Sequence, residues 1–186
     1  MRIIAGRHRG RKLKAPRGLS TRPVLARVRE ALFNVLGDVT GAQVLDLFAG
    51  TGALGIEALS RGAGSLVSVD IGHRQCSIIR ENLVELGEHA EVICTDVPKA
   101  LKHLGAEGRK FDLIFADPPY EKGLARRTVE LVFSLKLLSA TGVMGVTIRH
   151  TESLPERENE WHKIFDRRYG DTRLVLYGMD GTAESR

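Results

Sequence analysis

Cysteine is nearly missing from this chain: 186 residues contain two, Cys76 and Cys94. One pair cannot build a disulfide framework, and its spacing is not that of metal ligands, so neither a stapled secreted scaffold nor a bound metal is expected. Aromatic residues are also scarce, at 5%, with a single tryptophan, Trp161. Long apolar runs are lacking. The longest uncharged stretch, residues 137–148, is twelve residues long, against the roughly 18 that a membrane-spanning helix needs. No apolar run of signal-peptide length follows Met1. These gaps exclude the disulfide-rich and membrane classes and predict a soluble, cytoplasmic protein.

What is present suffices for an ordinary fold. Hydrophobic residues make up 42% and charged residues 27%, which is globular and not disordered composition, and ~100–200 residues is the usual size of one domain. The charge, however, is unevenly placed. Residues 1–36 hold ten Lys/Arg and one acid, Glu30, a net of +9, whereas residues 37–186 hold 18 bases and 22 acids, a net of −4. A basic arm suits a polyanion, because each Lys/Arg–phosphate contact releases condensed counterions without needing a sequence. Arg2, Arg7, Arg9, Arg11, Lys12, Lys14 and Arg22 are the candidate nucleic-acid contacts. Residues 2–14 read as a basic β-hairpin turning through Gly6 and Gly10, and Val24–Leu36 carries apolar residues at helical period. The arm is expected to be separable from a core that starts near Gly41. His8 within it reads as a solvated surface residue.

From Gly41 the pattern becomes strand–helix alternation. Apolar runs at 44–48, 65–69, 91–94, 111–116 and 142–148 read as buried parallel strands, with helix-length segments near 53–61, 72–86, 97–104 and 123–136. Two further β-like stretches, 161–168 and 172–178, read as an antiparallel C-terminal hairpin. The order predicts an α/β fold: a Rossmann-like, doubly wound, mostly parallel sheet. In such sheets the ligand lies beyond the carboxyl ends of the strands, so the residues after each strand carry the chemistry.

The first strand leads into Asp46-Leu-Phe48-Ala49-Gly50-Thr-Gly52-Ala-Leu-Gly55. Its glycines let backbone approach a ligand closely, and the next helix presents unpaired N–H groups. The second strand ends in Asp70-Ile71, where a carboxylate can accept from a ribose diol; this suits NAD and S-adenosylmethionine equally. The third ends in Asp96-Val97, with Asp96 both a candidate acceptor for an adenine amine and a helix N-cap before Pro98. The fourth ends in Asp117-Pro118-Pro119-Tyr120. Two prolines fix φ and remove two N–H donors, leaving a rigid turn of acceptors beside a ring. That suits a planar substrate with an exocyclic amine: Asp117 and the Pro118 carbonyl accept its hydrogens, and Tyr120 stacks on its face. A dehydrogenase reading leaves this turn unexplained.

These residues resemble the amino-group class of S-adenosylmethionine-dependent methyltransferases. Arg2-Ile-Ile-Ala-Gly-Arg-His-Arg-Gly-Arg-Lys-Leu13, Arg22-Pro23, Arg27-Val-Arg-Glu-Ala-Leu-Phe-Asn34, Gly52–Gly62 and Tyr169-Gly-Asp-Thr-Arg173 are similar to the bacterial 16S rRNA guanine-N2 methyltransferases of the RsmD family, over about residues 2–178. The chain departs from that pattern at Val24–Ala26 and at Arg149. The resemblance implies S-adenosylmethionine as cofactor, held by Asp46, Phe48, Ala49, Gly50, Gly52, Asp70, Ile71, Asp96 and Val97. It also implies 16S rRNA as partner, naked or within a partly assembled small subunit, and a target base held at Asp117–Tyr120, with no metal. Residues 1–36 would then be the RNA-binding extension and 37–186 the methyltransferase domain. Amino-methylation of DNA adenine or a protein glutamine, and a non-catalytic RNA- or nucleotide-binding module, are the competing readings. No recognition domain for DNA is evident, and a protein methylator has no use for +9 in 36 residues.

Overall fold

The computed structural model describes residues 1–15, 23–120 and 123–179. Helix α1 (Pro23–Leu36) precedes β1 (Gln43–Leu47), α2 (Ala53–Ser60), β2 (Ser65–Asp70), α3 (His73–Leu86), β3 (Glu91–Cys94), α4 (Val97–Ala106) and β4 (Phe111–Ala116). Then come α5 (Leu124–Ser134), β5 (Leu138–Arg149), β6 (Arg157–Glu158), β7 (Trp161–Tyr169) and β8 (Thr172–Gly178). One sheet holds the strands in the order β3-β2-β1-β4-β5-β8-β7-β6. The first five run parallel to one another, and β8, β7 and β6 add antiparallel neighbours. The doubly wound sheet and its C-terminal hairpin match the sequence pattern. Two details do not: β5 starts at Leu138, with its pairing to β4 shifting register between Phe111 and Leu113, and the two-residue β6 is too short to leave an apolar pattern.

Strands buried on both faces explain the near-continuous apolar runs. Leu45 and Leu47 of β1 face α4 and α5, packing with Leu101, Leu104, Val129 and Val132. Val44, one residue away and so on the other face, packs with Leu32 of α1, Ile56 of α2 and Ile79 of α3. Each such buried Val, Leu or Ile is worth about 1.5–3 kcal/mol. Trp161 is core: it stacks on Phe133 at 5.5 Å with the rings 7° from parallel. Among the described residues, no helix is long and apolar enough to cross a membrane.

The arm does form a minimal hairpin. Arg2 and Lys12 make one antiparallel bridge, flanked by Ile3 N–H to Arg11 O at 3.0 Å and Gly10 N–H to Ile3 O at 2.9 Å. It is not separate from the core. Ile3 and Leu13 are buried in the cluster that holds α1, α2 and α3. The carboxylate of Glu57, fully buried on α2, accepts the N–H groups of Ile4 at 2.8 Å and Ala5 at 2.9 Å. Ser60 receives Arg7 N–H on its carbonyl at 2.8 Å and donates its hydroxyl to Ala5 O at 2.6 Å. A Cβ on Gly6, at φ +79°, would stand 1.8 Å from Ser60 O, so only glycine permits this contact. At the far end of the hairpin, buried Asn82 accepts Lys14 N–H at 2.8 Å and donates to Thr51 O at 3.1 Å. The expected boundary at residue 36 is therefore crossed by packing and hydrogen bonds.

Candidate active site

Strand order reverses about β1, which pairs with β2 on one side and β4 on the other. A crevice opens at such a switch point, and three carboxylates converge on it. Asp46, four residues into β1, is buried and accepts Gly55 N–H at 3.0 Å. Asp70, closing β2, bridges two turns: one oxygen accepts Gly50 N–H and the other Gly72 N–H, both at 2.8 Å. Asp117 follows β4. The turn between Asp46 and Gly55 is made by left-handed residues, Phe48 at φ 57°, Gly50 at 58° and Gly52 at 77°. At Gly52 a Cβ would press on Ile79 at 3.3 Å, and at Gly55 it would stand 2.6 Å from Leu66. The glycines thus serve both the turn and the close seating of α2 on the sheet.

Burial pushes the Asp46 carboxyl up to about 7; the Gly55 N–H opposes this, and the nearby charges of Asp117 and Asp70 add to it. Such an acidic pocket suits a cationic ligand, which favours the carboxylate over the acid. Ile71, beside Asp70, is 72% exposed, an apolar surface that a purine ring can cover. Asp96 caps α4, its side chain accepting Lys99 N–H at 2.9 Å, so the N-cap reading stands and leaves the second carboxylate oxygen available. Val97 turns its side chain into the core, so only its main chain can serve a ligand. Ala49 is half-buried, its N–H bonded to Val69 O at 3.0 Å. These positions fit S-adenosylmethionine.

Asp117 lies on the wall of a cleft of about 100 Å³ between α1 and the ends of β4 and β5. Desolvation raises its pKa, opposed by a hydrogen bond from the Thr147 hydroxyl of β5. Val28, Leu32, Leu54 and Leu174 give the cleft apolar walls. Pro118 is buried and Pro119 exposed. Tyr120 is 36% exposed, with its hydroxyl 2.7 Å from Thr172 Oγ1. Asp117 and Tyr120 thus sit at the turn as expected, but each is held by a threonine to which the sequence gave no role in the site. Arg29 was also missed. It lines the cleft at 5% exposure, donates to Arg2 O at 2.6 Å and lies 3.9 Å from Glu57. Its signal was legible: a cation on the apolar stripe of Val28, Leu32, Phe33 and Leu36.

The arm's bases divide. Arg7 and His8 pair with Glu88 at 2.6 and 2.5 Å, so His8 is half-buried and paired, not solvated. Lys14 pairs with Glu81 and Glu85, Arg11 donates to Glu85 O and Arg2 to Gly10 O. Arg9 and Lys12 are exposed. Arg22 lies outside the described residues.

An acid-lined, glycine-turned crevice on a doubly wound sheet, next to an Asp-Pro-Pro-Tyr turn, fits the amino-group class of S-adenosylmethionine-dependent methyltransferases, and this chain is an S-adenosylmethionine-dependent methyltransferase. Known proteins narrow the class. The family described as conserved hypothetical protein 95 matches residues 1–178. The putative rRNA methyltransferase YlbH of Bacillus subtilis is 36% identical over 97% of this chain and 100% of its own length. The ribosomal RNA small subunit methyltransferase D of Escherichia coli is 34% identical over 100% of this chain and 93% of its own length. A solved structure, the putative methyltransferase yhhF from Escherichia coli, is 32% identical and superposes with a TM-score of 0.84, covering 96% of this chain and 97% of the other. The chain belongs to this family, that of ribosomal RNA small subunit methyltransferase D.

The pocket makes a pH-dependent expectation. Near pH 7 the free protein holds Asp46 partly protonated, and a bound cation drives the proton off. Affinity for S-adenosylmethionine should rise between about pH 6 and 8, with proton release near pH 7, read by calorimetry in buffers of different ionisation enthalpy. The ligand-free fold responds oppositely: the unfolded carboxyl ionises near its ordinary 3.8 and the folded one near about 7, so this group's contribution to stability falls as pH rises across that window. Heat from NAD and none from S-adenosylmethionine would overturn the cofactor assignment.

Proposed function

We propose that this protein transfers the methyl group of S-adenosylmethionine to the exocyclic N2 amine of a guanine in 16S rRNA. The observation that carries the reading is the Asp117–Tyr120 turn, which puts a desolvated carboxylate on the wall of a cleft, close enough to Asp46 for its charge to act there, and a partly exposed ring three residues later. The names of the relatives supply the RNA. When bound, S-adenosylmethionine brings a sulfonium methyl, already electrophilic, so the chain's own residues have mainly to orient and to place charge. The Asp117 carboxylate and the Pro118 carbonyl accept the two amine hydrogens and aim the nitrogen lone pair. Thr147, by donating to Asp117, fixes which carboxylate oxygen faces the cleft. Tyr120, anchored on Thr172, presents its ring to a base drawn out of its stack, as chemistry on a base amine requires.

The test is a comparison of modified nucleosides in 16S rRNA from cells with and without the gene. Loss of one N2-methylguanosine is the expected result. Purified protein should restore it on naked 16S rRNA or on a partly assembled small subunit, and the two substrates tried side by side identify which is used. Unchanged N2-methylguanosine, or label appearing on DNA or protein instead, would overturn the proposal.

A further inference from the structure

Arg149 at the end of β5, with Tyr169 and Arg167 on β7, forms a row of cations and a ring to which the methyl-transfer chemistry gives no role, and the row starts beside Tyr120. Register across β5, β8 and β7 aligns Arg149 with Thr172 and Tyr169, and Thr147 with Leu174 and Arg167. Thr147 and Leu174 are walls of the cleft that holds Asp117, so the row continues the cleft outward along one face. Tyr169 packs on the same side as α1. Each ring has a cation over it: the Arg149 guanidinium is 6.0 Å from the Tyr120 centroid, and that of Arg167 is 5.9 Å from the Tyr169 centroid. Arg149 and Arg167 are exposed, and among the described residues no carboxylate pairs with either. Their neighbours are differently placed: Arg173 and Lys163 are both spent on Asp166, as Arg7 and Lys14 of the arm are on Glu88, Glu81 and Glu85.

We infer that this strip, leading from the base-holding Tyr120 through Arg149 to Tyr169 and Arg167, is the track for the single-stranded RNA flanking the target nucleotide. The inference rests on the rRNA reading above and adds a second contact surface to the arm. Rings stack on any base, which makes such a track tolerant of sequence. Guanidinium planes both stack on bases and pair with phosphates. Neighbouring strands ~4.8 Å apart set the rings and cations at short intervals outward from the cleft. An acidic protein surface is the alternative occupant. It would use the two arginines and have no need of rings beneath them.

The test uses the full-length protein with Arg149→Ala and Arg167→Ala combined, and a companion Arg149→Lys, Arg167→Lys pair that keeps the charge. Binding of 16S rRNA and of an unstructured single-stranded RNA oligonucleotide is followed from low to moderate salt, beside methyl-transfer kinetics. The alanine pair should flatten the slope of log affinity against log salt by roughly 0.7 per lost contact. It should also raise KM for rRNA more than it lowers kcat, with S-adenosylmethionine affinity unchanged as the folding control. The lysine pair should recover most of the slope. Unchanged slope and KM in a folded alanine pair would overturn the track, as would weakened binding of an acidic polypeptide, titrated in parallel, with RNA binding unchanged. If the unaltered protein methylates no rRNA, the rRNA reading has failed. The oligonucleotide slope then still decides the strip on its own.

Discussion

Replacing Asp117 by alanine is expected to cut methyl transfer by about 10²–10³ while leaving S-adenosylmethionine binding intact. The magnitude is that of losing one preorganised hydrogen-bonding partner at the reacting atoms. The cofactor should be unharmed, because Asp117 acts on the crevice only through its charge. That charge helps to hold the Asp46 carboxyl high, so its removal should move the Asp46 titration downward, while the direct attraction that Asp117 itself offers the cation is lost, and the two effects oppose each other. Asp117→Asn separates shape from charge: it fills the same space but offers one acceptor oxygen and an amide that repels a donor. Single-turnover methylation with calorimetry on the same preparations reads both effects. Turnover near that of the unaltered protein in Asp117→Ala would remove this residue from the chemistry.

The second large effect lies far from the reacting atoms. Glu57→Ala is expected to destabilise the fold by about 3–5 kcal/mol, the usual cost of breaking a buried charge pair from one side. For a chain of this size that lowers Tm by roughly 6–20 °C. The carboxylate is the acceptor for Ile4 and Ala5 N–H and for Arg61 Nε at 2.9 Å, and the counter-charge of buried Arg29. Alanine leaves all of these groups without it. Thermal unfolding read by circular dichroism gives the answer, and a shift of less than 2 °C would mean that the arm is held by its apolar contacts alone. For the same reason deletion of residues 1–14 is no clean test of RNA binding. It strips Ile3 and Leu13 from the core, and cofactor affinity, expected from the sequence to survive the deletion, would fall with the fold. Substitution of exposed Arg9 and Lys12 is the sounder probe.

What the sequence revealed depended on how far apart the partners lie. Asp46, Asp70, Asp96 and Asp117 were legible because a parallel sheet puts every strand's carboxyl end on one edge, so position alone places them. The Asp-Pro-Pro-Tyr turn was legible because proline restricts the backbone by itself. Thr147 and Thr172 were not, since they meet Asp117 and the Tyr120 hydroxyl across 30 and 52 residues, and nothing local marks a threonine on a buried strand as the hydrogen-bond partner of a distant acid or phenol. Glu57 was hidden differently. On a short helix of small and apolar residues it reads as a solvent-facing charge, yet it is the seat of the arm. Counting the arm's ten bases likewise overstated its free charge, because the acids that pair with Arg7 and Lys14 sit on α3 and just after its end, about 70–80 residues later.

One buried amide ties these regions together. Asn82 grips Lys14 at the end of the arm and Thr51 in the glycine turn, so the two cannot shift independently. Whatever factor an RNA bound to the arm exerts on the affinity for the methyl donor, the donor must exert on RNA in return. Order of addition then becomes a property of the enzyme that titration can measure: each ligand's dissociation constant, taken with and without the other, must change by one common ratio.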